Sequence, residues 1–169
     1  RIIGYGGSES FQSPSFFSPA VSKLIADVGI DLSKFETWFD RHWAANRGLG
    51  EAVFFTRETF GADYLATGYR TRSWEEFLRH VPLSEAAKRD VIRVEEGMTD
   101  YFPALDATAK KQKLLRMSYE SYLRDVVKAD PSVVALYHSL TKGWWGVGID
   151  AIGALDAWGT DMPGFKGLR

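Results

Sequence analysis

The stretch AVFFTRETFGADYLAT (residues 52–67) decides how this chain is read. Residues 53–56 and 64–67 are rich in β-branched and aromatic side chains, which suit a pleated, half-buried surface. Gly61-Ala62-Asp63 between them is a turn cluster, so the segment reads as a β-hairpin. A hairpin alone is marginal in water. This one therefore needs helices, or another sheet, to pack against.

Outward from it the pattern is helical. Ser18-Pro19 joins an N-cap to a proline at the first helical position, predicting a helix over 19–28 that Gly29 stops. Its apolar stripe is Val21, Leu24, Ile25 and Val28. Asp31 caps a second helix over about 32–46, with Phe35, Trp38, Phe39, His42 and Trp43 on one face, read as core. Ser73 with Glu76 forms a capping box for a short helix that Pro82 stops. Ser84 caps a helix to about Tyr101, Asp106 one through Leu115, and Ser118 one to about Lys128. Asp130-Pro131 opens one to about Thr141, and Asp150 caps a last short helix ending at Trp158-Gly159. The expected class is mainly α with a small β component.

Composition bounds the rest. A chain of 169 residues fits one domain. Its hydrophobic share of 45% and aromatic share of 14% exclude a disordered chain. So many rings serve a core, but they also line pockets and interfaces. The net charge of −1 leaves no nucleic-acid footprint. Lys110, Lys111, Lys113 and Arg116 fall at helical spacing and read as a solvated face. With no cysteine there is no disulfide and no thiolate metal site. No apolar run approaches the ~20 residues that a membrane span needs.

Catalytic sets are scarce. There is no serine-nucleophile elbow, and His42, His80 and His138 stand far apart. A metal site would have to be assembled from distant residues, and none is expected. Two segments draw the eye. In YGGSES (residues 5–10), Gly6-Gly7 lets backbone amides approach an anionic or flat ligand closely, though a simple turn explains it as well. In KGWWGVGIDAIGALDAWG (residues 142–159), Gly143 and Gly146 flank Trp144-Trp145, a poor helix interior that suits a bend presenting a large ring. Asp150 reads most simply as an N-cap. Asp156 reads as a surface residue or an anchor for a cationic substrate.

Three stretches, in this order, resemble the bacterial spermidine dehydrogenase-like family, flavoproteins of the wider amine oxidase group. They are RIIGYGGSESFQSPSFFSPAVSKLIADVGIDLSKF (1–35), VFFTRETFGADYL (53–65) and GVGIDAIGALDAWGTDMPGFKGL (146–168). The resemblance implies the helical, substrate-side region of a two-domain FAD amine oxidase-type fold. Residues 1–13 would be a flavin-side loop, 14–142 the helical substrate region with its hairpin near 52–67, and 143–169 a segment returning toward the cofactor. It implies oxidation of an amine, spermidine or another polyamine, with hydride passing to FAD. Gly6, Gly7, Ser8 and Glu9 would lie beside the flavin. Ser10, Trp144, Trp145, Asp150, Asp156 and Trp158 would meet the substrate, rings by cation–π contact and carboxylates by attraction. The family includes haem-carrying members, so haem stays open as a second cofactor, and its setting leans to the bacterial periplasm.

The group's dinucleotide fingerprint is missing here, as is its carboxy-terminal segment. The expectation is an internal piece of a flavoenzyme, its FAD bound mainly by parts outside this chain. It would be active only with the rest of the polypeptide or with partner chains. The competing expectation is a non-catalytic helical module that holds a partner through an aromatic surface.

Overall fold

The computed structural model describes Phe11, residues 14–37 and residues 40–168. The chain divides into two compact units, Arg1–Gly50 and Glu51–Arg169. Gly6, Gly7, Ser8, Glu9 and Ser10, expected beside flavin or substrate, and Trp38 and Phe39, expected in the core, lie outside the described residues.

In the first unit, helix α1 (Pro19–Asp27) opens as expected, with the Ser18 hydroxyl accepting the Val21 amide and Gly29 closing it at φ +74°. Its apolar stripe is not buried: Leu24 and Val28 are each 60% exposed, and α1 carries no buried residue. The long second helix does not form. Asp31 caps only a short 3-10 helix, Leu32–Glu36, and a further 3-10 turn spans Ala45–Arg47. The core reading fails at Trp43, which is half exposed and carries the Arg47 guanidinium 4.3 Å above its ring.

The second unit holds the core. Strands β1 (Ala52–Phe55) and β2 (Tyr64–Thr67) pair antiparallel, with Phe55 opposite Tyr64 and Val53 opposite Ala66. Their connection carries a helical turn, α2 (Arg57–Phe60), ended by Gly61 at φ +83°. Strand alternation turns Phe55 and Ala66 into the core and leaves Phe54 and Leu65 more than half exposed on the other face. Helix α3 (Trp74–Leu78) starts at the Ser73 cap and packs on β2, with Trp74 in edge contact with Tyr69 and Phe77 and the Tyr69 and Phe77 rings tilted against each other. The hairpin therefore has the helical support it needs.

Helix α4 (Glu85–Glu96) is shorter than expected. Gly97 turns to extended backbone, and the Asp100 carboxylate then accepts the Phe102 amide. The same carboxylate meets Lys110 at 2.6 Å, and Lys110 is buried on α5 (Ala107–Leu114). Lys113 lies over the Phe102 ring. The expected solvated basic face is thus half engaged, because the Asp100 turn brings a carboxylate against it. Helix α6 (Tyr119–Ser121) runs into a π-helix, Tyr122–Val127, closed by Lys128 at φ +57°. Helices α7 (Pro131–Tyr137), α8 (Lys142–Trp145) and α9 (Ala154–Gly159) complete the unit. No helix among the described residues is long and apolar enough to cross a membrane.

Tyr119 and Tyr122, both fully buried, anchor the segment after α9. The Tyr122 ring stacks on Phe165 at 4.2 Å, and its hydroxyl donates to the Gly164 carbonyl. The Tyr119 hydroxyl donates to Pro163, and the Gly164 amide donates to Val94 on α4. At Gly167 an added Cβ would land on the Met98 carbonyl, so only glycine passes there. Phe165→Ala should lower stability by about 3–5 kcal/mol, read from urea unfolding.

Glu95 on α4 accepts the Tyr137 hydroxyl at 2.8 Å. Burial pushes its carboxyl up, against the pull of that hydrogen bond, Lys166 and Arg70. An unfolded glutamate titrates at about 4.3. Above that value the folded protein still holds the proton, so stability declines as pH rises through the raised folded pKa. Glu95→Gln should flatten that decline, measured as urea midpoints across the acid-to-neutral range; an unchanged slope would assign it to other groups.

Candidate functional site

The site is built on a backbone exchange between two segments. Tyr119 and Glu120 donate their amides to the carbonyls of Ile152 and Ile149, and Ala154 donates back to Met117. Ser118 and Gly153 form an antiparallel bridge. Ile149 is fully buried, and its own amide donates to the His138 carbonyl at 3.3 Å. One residue thus ties the start of α6, the end of α7 and the 148–151 turn together.

Glu120, His138 and Asp150 are the side chains this tie gathers. Their ligand atoms all lie within 4.8 Å of one another. His138 and Asp150 are exposed and Glu120 is half-buried. Glu120 meets Arg124 at 3.3 Å, but Arg124 is held more closely by two 2.9 Å contacts to Asp125. Glu120 and His138 also line a cleft of about 550 Å³ whose other walls include Val53, Phe54, Phe60, Val134 and Leu136. The set offers one imidazole nitrogen and two carboxylates.

Gly148 leaves the room for this arrangement. A Cβ there would stand 2.7 Å from the Asp150 carboxylate and 3.0 Å from both the His138 ring and its carbonyl. The turn before it is fixed by buried Thr141, whose hydroxyl donates to Val147 at 2.7 Å.

The residues singled out from sequence fall in different places. Trp144 is 72% exposed, and Trp145 is half-buried with its ring 5.5 Å away. Both belong to the helical turn α8 rather than to a bend; the bend comes at Gly146, φ +71°. Asp150 is not the cap of α9: Gly153 holds that position and gives no side-chain bond. Asp150 instead sits in the turn against His138. Asp156 is exposed on α9, its carboxylate folded back over Gly153. Trp158 is half-buried against the core. Glu120 and His138 were not tied to Asp150 by sequence reasoning, because no short spacing links them.

No protein-family model matches this chain, and neither does any curated protein.

Gly148→Ala should cost about 1–3 kcal/mol through overpacking. It should also shift the His138 imidazole signals in an NMR spectrum. Loss of stability with an unmoved His138 would place the strain elsewhere.

Proposed function

We propose that this chain is the substrate-side part of an FAD-dependent oxidoreductase that oxidises an amine, spermidine or another polyamine. The ordered resemblance of residues 1–35, 53–65 and 146–168 supports the flavin reading. The observation that carries the substrate class is Trp144: a large ring, 72% exposed, in the same Gly-rich segment as the exposed carboxylates Asp150 and Asp156. Ring faces and carboxylates are the groups that attract an ammonium. Accepting hydride is the flavin's chemistry when it is bound. This chain's work is to select a cation and hold it.

The outward apolar residues also fit a part that meets more protein. Phe54 and Leu65 on the hairpin, and Leu24 and Val28 on α1, are apolar side chains of the kind a flavin-binding remainder would cover. The same exposed rings would serve a non-catalytic binding module, and the two readings part on the cofactor.

The deciding measurement is the visible spectrum of the protein purified from its source, before and after anaerobic spermidine. Flavin bands that bleach are the expected result, and a Soret band would add haem. A spectrum without a chromophore would favour the module. In the active flavoenzyme, Trp144→Ala should raise KM for spermidine about 2–30-fold, the worth of one cation–π contact, with kcat changing less.

A further inference from the structure

We infer that Glu120, His138 and Asp150 form a binding site for a divalent first-row transition-metal ion. The inference does not rest on the amine-oxidising reading; it assigns Asp150 to an ion and leaves Trp144 and Asp156 for an ammonium. The donor set comes first. An imidazole with two carboxylates is a mixed nitrogen and oxygen set that suits manganese, iron or zinc better than calcium or magnesium. Bonds of about 2.0–2.2 Å put two donors on one ion at most about 4.4 Å apart. The three donors here lie within 4.8 Å, so small rotations of exposed side chains close the site.

The second observation is that the three are preassembled by backbone rather than by each other. Ile149 bonds to the chain at His138 on one side and at Glu120 on the other, and Asp150 follows it directly. Among the described residues neither the His138 ring nor the Asp150 carboxylate has a hydrogen bond or ion pair. The two carboxylates stand close together, and of the two Arg124 contacts Glu120 alone, at 3.3 Å. A cation seated among them would offset their like charge. The third observation is Gly148, whose missing side chain is the space that Asp150 and the imidazole edge fill.

Three protein ligands leave coordination positions open, the arrangement of ions that take a further ligand. Glu120 and His138 also line the apolar cleft, so a small molecule seated there would have access to the ion.

The test uses the protein as isolated, treated with EDTA and dialysed. Mn²⁺ is titrated at neutral pH with the free-ion EPR signal as readout, and Zn²⁺ is followed by calorimetry. One saturable equivalent is expected, and His138→Ala and Asp150→Asn should each weaken it at least about tenfold. Both side chains are exposed, and an unchanged circular dichroism spectrum verifies that each variant folds. No saturable uptake of either ion at millimolar concentration overturns the site. So does uptake that survives the double variant. Binding of spermidine that needs Asp150, without uptake of either metal, also overturns it and assigns the carboxylates to an ammonium.

Discussion

The exchange of main-chain hydrogen bonds between residues 117–120 and 149–154 is the constraint on which the second unit rests. It joins the start of α6 to the turn before α9, across a long excursion of chain. Ile149 lies at its centre, fully buried, bonded outward to Glu120 and His138. Buried amides and carbonyls must find partners, and here they find them between segments rather than within a helix. Without that exchange, the segment that carries Glu120 loses its main-chain tie to the turn that carries Asp150.

The tyrosines on α6 and the π-helix after it extend the same logic to the far end of the core. Burial pushes the hydroxyls of Tyr119 and Tyr122 well up, so both remain neutral donors at any ordinary pH. Each spends its proton on a carbonyl of the 163–164 segment. The wider turn of the π-helix follows directly on the helix that carries Tyr119, and it ends on Lys128 in a left-handed conformation. Asp90 and Arg93 on α4 then fasten the return: Asp90 accepts the Asp130 amide, and Arg93 donates to the Val127 carbonyl.

Local chemistry was legible in the sequence and long-range chemistry was not. Ser18, Ser73, Ser84, Asp106, Ser118 and Asp130 all cap the helices they precede, because a cap acts on an amide two or three residues away. The hairpin was legible for the same reason. The aromatic stripe from Phe35 to Trp43 misled, since its period fits a helix but, among the described residues around it, only short 3-10 turns form. Asp150 misled differently. It has the look of a cap, yet the loop geometry at Gly148 turns it toward His138. Lys110 joined a solvated face in sequence and an ion pair in the fold, because its partner Asp100 comes from a turn whose position the spacing does not report.

The segment that Tyr119 and Tyr122 grip has a further consequence, for the timescale of its motion. The Gly164 amide is buried and bonded to Val94 on α4, while its carbonyl is held by a tyrosine hydroxyl. Such an amide meets solvent only when α4 and α6 part from it. Gly164 should therefore exchange with the slow-opening cooperative unit of the core rather than as part of a fraying loop.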